Sequence, residues 1–267
     1  MRLYKYVILT AFLLFAVWQV SLKPSNDRNW SPDQVALSYG EINGNLIHLY
    51  NIRNYTYTTT DDYEIKYYNK TYDLNKLDSV WFIIEPFSLW RAAAHTFLSF
   101  GFGDEYVAIS VEIRKTKGQT FNPFLGLFRQ YETTYVIGDE QDLIKLRSKY
   151  RKDTVYLYPI NAPQNAIQEM FVQMINRANK LKEQPEFYNT ITNSCTTAIV
   201  HHINSIAPNE IPFNWKILLP GYSDKYAYDL GWIKTDLSFE QTREKYKINE
   251  KALKYADSPD FSQKIRE

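Results

Sequence analysis

AAAHTFLSFGFGDEYVAISVEIR, residues 92–114, decides the fold. It reads as a β-hairpin closed by Gly103-Asp104, because glycine in the first central position of a two-residue turn supplies the positive φ that such turns need. The second limb alternates. Val107, Ile109, Val111 and Ile113 face one side, and Ala108, Ser110, Glu112 and Arg114 face the other. With Phe102 opposite Glu105, counting outward sets His95 opposite Glu112 and Phe97 opposite Ser110. His95 and Glu112 then share a face, and the carboxylate can orient the imidazole. A slip of one residue would send the two to opposite faces, so this pairing depends on the turn. The blander alternative is a structural histidine beside a solvated glutamate.

The rest of the chain extends this sheet and covers it. Residues 45–58 read as one or two strands, and residues 80–84, 132–138 and 154–160 as one each. Residues 61–73 are Tyr-rich and charged and read as a surface segment, followed by a short helical turn or loop over 73–78. Residues 139–150 read as a helix capped by Asp139. After Pro163 comes the clearest helix, with Ile167, Met170, Phe171, Met174, Ile175, Ala178 and Leu181 at i, i+3, i+4 spacing; this is a core stripe and ends before Pro185. In residues 115–130 a short apolar helix inside a loop carries Phe121, Phe124 and Phe128, read as core packing rather than as a groove lining. Residues 208–233 read as a loop-rich wrap over the core, and residues 236–267 as a charged tail, helical around 239–256, with a free end. The fold class is α+β, an antiparallel sheet packed against helices.

A second stretch carries chemistry. Thr192-Asn193-Ser194-Cys195 holds the single cysteine and opens an amphipathic run from Thr196 to Ile206. Asn and Ser are helix N-cap residues, so Cys195 belongs in a first helical turn. There the helix dipole lowers a thiol pKa, and free backbone N–H groups can hold an oxyanion. A small buried hydrophobe that happens to be cysteine is the competing reading. His201 and His202 follow in the same helix, but position 202 lies about 10 Å along the axis from Cys195, so neither serves that thiol as base. The base must come from elsewhere, from His95 or from His48, which sits between Ile47 and Leu49 and on its own reads as structural. A histidine with polar neighbours on the next strand, as His95 has in Ser110 and Glu112, is what a thiol nucleophile needs. No second cysteine and no spaced His/Asp cluster suggests a metal, and no phosphate loop, dinucleotide fingerprint or G-x-S-x-G elbow suggests a cofactor or a serine nucleophile.

The start of the chain sets the compartment. Arg2 and Lys5 precede an almost wholly apolar run over residues 6–22. That length is at the lower limit for a membrane span, and no small-x-small cleavage site follows. The segment reads as an uncleaved signal anchor, with a cleaved signal peptide as the alternative, and the positive-inside rule places everything after Lys23 outside the cytoplasm. In a Gram-negative cell that is the periplasm, with the anchor in the inner membrane. A lone cysteine in an exported chain makes no internal disulfide and is flagged as a reactive thiol. Residues 1–28 are then anchor and spacer, and residues 29–267 one exported domain. The 22 Tyr, 15 Phe and 6 Trp point to a packed β-containing domain, and a net charge of +1 offers nothing to nucleic acid.

Several blocks, in order, resemble one family. His95-Thr-Phe-Leu-Ser-Phe-Gly-Phe102, the run from Ile109 to Lys115, Phe128-Arg-Gln-Tyr-Glu132, Glu186-Phe-Tyr-Asn-Thr190, Asn193-Ser-Cys-Thr-Thr197 and Leu218-Leu-Pro-Gly-Tyr-Ser-Asp224 look like the Lnb N-terminal periplasmic domain family. The resemblance spans roughly residues 61–233. That family is similar to permuted papain-like thiol enzymes, in which the histidine precedes the cysteine, as His95 precedes Cys195 here. The resemblance implies lipoprotein N-acylation, the activity of the family's characterised member. Cys195 would take an acyl chain from a phospholipid and pass it to an amine such as a lipoprotein or peptide N-terminus. A cell-wall cysteine peptidase or amidase using the same dyad, and a non-catalytic envelope binding protein, are the alternatives. One departure stands out: many relatives carry Asn directly before the cysteine, where this chain has Ser194, with Asn193 one place earlier.

Overall fold

The computed structural model describes residues 2–207 and 210–267. Met1 of the basic leader and Pro208 and Asn209, the first two residues of the 208–233 segment, lie outside the described residues. The elements in chain order are α1 (Arg2–Ser21), β1 (Tyr39–Asn43), β2 (Leu46–Arg53), β3 (Thr56–Tyr57), β4 (Tyr63–Glu64), β5 (Tyr67–Asp73), β6 (Ser79–Pro86), β7 (Ala94–Phe102), β8 (Glu105–Arg114) and β9 (Glu132–Gly138). Then follow α2 (Glu140–Lys145), β10 (Tyr156–Pro159), α3 (Gln164–Glu183), α4 (Cys195–Ile206), α5 (Trp215–Leu218), α6 (Ser223–Asp229), α7 (Phe239–Lys245), α8 (Asn249–Lys254) and α9 (Phe261–Lys264).

The hairpin at residues 92–114 forms the centre of the sheet. Gly103 takes φ 70°, and Phe102 pairs with Glu105 as the turn dictates. Among the described residues, eight strands join in the order β1-β2-β9-β8-β7-β6-β10, with β5 added on β2. The pairings are antiparallel apart from β2 with β9, which is parallel and meets at Arg53 and Gly138. This corrects the expectation of a purely antiparallel sheet. β2 and β9 are distant in sequence, so no hairpin turn dictates their direction.

Helices cover both faces. On one, α3 and α4 bury Leu98, Phe100, Val107 and Ile109 against Phe171, Met174 and Ile199. On the other, Ile83, Phe97, Ala108 and Val136 pack against Leu143 and Ile144 of α2, Ala252 of α8 and Phe261 of α9. Burial on both faces explains why β8 is interior along most of its length despite its alternating sequence. All seven residues of the α3 stripe are buried. Asp139 caps α2 by accepting from the N–H of Gln141, and that helix continues into a wider turn over Leu146–Tyr150.

Four readings need correction. Residues 61–73 are not a plain surface segment: β5 pairs with β2, and Tyr72 packs in the core beside Phe102. Most of β5 stays partly exposed, because it pairs only with β2 at the edge of the sheet. Phe121, Phe124 and Leu125 are exposed rather than core. The 208–233 segment is largely helical, as α5, α6 and a 3-10 turn at Pro220–Tyr222. The chain end is packed, with Phe261 and Ile265 buried and Arg266 reaching Glu140 under the sheet. The polar spacer is likewise held: the Asn26 amide donates to the carbonyls of Leu181 and Lys182 at the end of α3, and Arg28 pairs with Glu132.

Candidate active site

The ladder between β7 and β8 runs in the expected register from Phe102↔Glu105 to Leu98↔Ile109. Beyond Leu98, residues Thr96, His95 and Ala94 of β7 pair with Ile84, Glu85 and Pro86 of β6. Here side chains take over from backbone. His95 Nε2 lies 2.7 Å from Ser110 Oγ and 3.5 Å from Glu112 Oε1. Ser110 Oγ donates to Glu112 Oε1 at 2.9 Å. Since a serine hydroxyl has one proton, and it is given to Glu112, Ser110 must accept from His95 Nε2–H. That fixes the tautomer and leaves Nδ1 as the nitrogen free to take a proton.

Cys195 reaches the same place from the opposite layer. It is the first residue of α4, whose N-cap is Ser194. The Ser194 side chain accepts from the N–H of Thr197, and the Thr197 hydroxyl accepts from the N–H of Ser194, closing a capping box. Ser is among the residues best suited to this position, so Ser194 directly before the cysteine makes a sound cap. Asn193 turns away and donates to Thr133 on β9. α4 is seated on β7 through the Thr96 and Thr196 hydroxyls, 3.0 Å apart. Their chain neighbours, His95 and Cys195, therefore open together onto one cavity of about 730 Å³, which Glu112 also lines.

The electrostatics are those of a coupled pair. Burial raises the Cys195 thiol pKa, but His95 beside it prevails and brings it down to about 7. Burial lowers the His95 pKa, but Glu112 and Cys195 prevail and lift it to about 9. Burial disfavours the Glu112 carboxylate, yet His95 and the Arg147 and Arg53 guanidinium groups hold it well below the usual carboxylate range. Each partner thus favours the charged form of the other, thiolate beside imidazolium.

The structure adds partners that the sequence did not single out. Arg147, from the wide turn after α2, donates to Glu112 at 2.9 Å and to Glu85 at 2.6 Å. Its guanidinium also lies over Phe97, whose ring stacks on His95. Glu85 stands opposite His95 on β6. A row from Glu85 through His95 to Ser110 and Glu112 is therefore underpinned by one buried arginine. The other histidines are elsewhere. His48 contacts Thr71 on β5 and packs edge-on against Tyr50. His202 meets the Tyr135 hydroxyl at 2.8 Å, and burial, with Arg177 and His201, lowers its pKa to about 4, so it stays neutral. His201 faces the Thr192 carbonyl. Among the described residues no group of three or more His, Cys, Asp or Glu side chains is arranged to hold a metal ion.

At the other end of the chain, the span Tyr4–Ser21 of α1 is long and apolar enough to cross a membrane, and it is unburied. In comparison with known families, residues 63–221 match the Lnb N-terminal periplasmic domain. No curated protein and no solved structure matches the chain.

Proposed function

This chain belongs to the Lnb N-terminal periplasmic domain family, and from that membership and the cavity's geometry we propose that it is a membrane-anchored periplasmic thiol acyltransferase. Residues 1–28 serve as inner-membrane anchor and spacer, and residues 29–267 as one exported catalytic domain on a permuted papain-like plan. The observation that carries the reading is the shared cavity, in which a cysteine in the first turn of α4 with a lowered pKa lies beside a histidine whose tautomer is fixed by Ser110 and Glu112.

The steps follow from that arrangement. Cys195 Sγ attacks the ester carbonyl carbon of a phospholipid, and the backbone N–H of Cys195 at the start of α4 stabilises the oxyanion. As the intermediate collapses the C–O bond breaks, and the departing lysolipid oxygen takes the proton from His95 Nδ1. The product is an acyl thioester on Cys195. An amine, such as a lipoprotein N-terminus, then attacks the thioester. His95 Nδ1 removes the amine proton, the C–S bond breaks, and the thiolate is restored. Ser110 and Glu112 hold the ring throughout, and no cofactor enters.

Intact mass of the full-length protein after incubation with phospholipid vesicles tests this. A hydroxylamine-sensitive acyl adduct on the native chain, absent from Cys195→Ser and His95→Ala, is the expected result. No adduct from a thiol that also resists alkylation at neutral pH would leave a non-catalytic binding protein. No adduct from a highly reactive thiol would point to a peptidase or amidase acting on cell-wall peptides.

A further inference from the structure

We propose that the mouth of the Cys195 cavity is itself a membrane-inserted surface, seated in the headgroup–acyl boundary of a phospholipid bilayer beside the exit of α1. The inference rests on the reading of α1 as a membrane span; it does not require acyl transfer.

The argument starts at α1. Its 20 residues make a rod of about 30 Å, the thickness of a hydrocarbon core. The helix does not leave the domain freely. Phe15 packs edge-on against Phe128 with ring centroids 5.5 Å apart, and Arg129 donates to the Gln19 carbonyl at 2.9 Å. Phe15 precedes the end of the helix, Ser21, by a distance of about 9 Å along the axis. Whatever packs on Phe15 therefore lies about 9 Å inside the end of the span, within the roughly 5–10 Å to which interfacial segments sink. Trp18, which packs on Phe15, stands about 4.5 Å nearer the helix end, where aromatic belts form.

The 115–130 loop carries this level to the cavity. Phe128 packs on Phe124, with centroids 5.0 Å apart, and Phe124 is 64% exposed. Phe121 and Leu125 are exposed beside it, and Phe121 lines the mouth of the cavity. The loop between β6 and β7 presents Trp90, exposed and also lining the cavity, and next to it in the chain Leu89, whose side chain is wholly exposed. Large apolar residues grouped around one opening mark an interaction surface. Continuity with α1, through Phe15, Phe128 and Phe124, says that the partner is lipid rather than a second protein. Arg129 and Lys23 flank the exit and suit anionic headgroups. A donor phospholipid would then meet Cys195 without first leaving its leaflet.

The test uses the full chain with Cys195→Ser, so that no chemistry is needed, reconstituted in phosphatidylethanolamine–phosphatidylglycerol vesicles. Single nitroxide labels are placed through Leu89→Cys, Phe124→Cys and, as control, Asp104→Cys. Asp104 lies in the hairpin turn, about 25 Å along β7 from His95. Collision with oxygen should exceed collision with a water-soluble nickel chelate by several-fold at positions 89 and 124, and the order should reverse at 104. Water accessibility at 89 or at 124 equal to that at 104 would overturn the proposal. Should a labelled variant fail to fold, quenching by brominated lipid gives a second measurement: Trp90→Phe should remove a quenched component that Trp232→Phe leaves intact, and equal quenching in both would also overturn it. Because neither readout depends on a thioester, failure here and failure of the acyltransferase reading are separate results.

Discussion

The hydroxyl of Ser110 carries one proton, and its destination sets the tautomer of His95. Pointed at Glu112, it obliges Ser110 to accept from His95 and turns Nδ1 towards the work. Ser110→Ala removes that acceptor while His95, Cys195 and the cavity remain. The acylation rate should fall about 100-fold, with little change in KM, and an unchanged kcat would remove Ser110 from the mechanism. The proposed pairing of Cys195 with His95 also predicts a bell-shaped pH profile. Cys195 titrates at about 7, so the thiolate is lost as pH falls through that value; His95 titrates at about 9, so its proton for the leaving group is lost as pH rises through it. Alkylation by iodoacetamide reads the thiolate alone and should show only the lower limb. Glu112→Gln withdraws the charge that raises His95, so the upper limb should move down towards the ordinary histidine value. An upper limb that stayed at about 9 would mean that another group sets it.

At the scale of elements, α4 shows what can be inferred before any coordinates. A cap residue, a lone cysteine and an amphipathic run sufficed to place Cys195 in a first turn, because capping is local chemistry. Ser194→Ala should therefore cost about 1 kcal/mol in urea unfolding, and Ser194→Asn almost nothing. Equal losses in both would show that the hydroxyl has a role outside the cap. The hairpin was legible for the same reason, since a two-residue turn sets the register from Phe102↔Glu105 as far as Leu98↔Ile109; the expected backbone pairing of Phe97 with Ser110 and of His95 with Glu112 is not part of that ladder. β5 was not, because its pairing with β2 is settled by which side of the sheet remains uncovered. Glu85 and Arg147 were equally hidden. They come from β6 and from the turn after α2, and only the strand order brings them beneath His95. The docking of the 87–93 loop on the 3-10 turn at Pro220–Tyr222 was hidden too. The Gly221 N–H donates to the Ala92 carbonyl, and a Cβ there would stand 1.6 Å from the Arg91 carbonyl oxygen.

For the whole molecule, the informative error is the chain end. The helical stretch around 239–256 was read, but the charged composition suggested mobility at the very end, because sequence periodicity cannot reveal that a distant sheet lacks cover. The face carrying Phe97, Ala108 and Val136 needs that cover, and α8 and α9 supply it with Ala252, Phe261 and Ile265. Arg266 then makes the closure specific. It reaches both Glu140 oxygens, at 2.7 and 2.8 Å, and the Ser99 hydroxyl at 3.2 Å, while Glu140 is wholly buried. Removing the arginine leaves a buried carboxylate with its cationic partner gone, and that is where the large cost of a broken interior ion pair arises. Arg266→Ala should therefore destabilise the protein by about 3–5 kcal/mol in urea unfolding. Adding Glu140→Gln should recover part of that loss, since the remaining amide carries no charge. If Arg266→Ala alone proved neutral, the C-terminal residues would be a dispensable covering. Recovery in the double variant would instead show that the same face of the sheet that positions Ser110 and Glu112 is locked by the last residues of the chain.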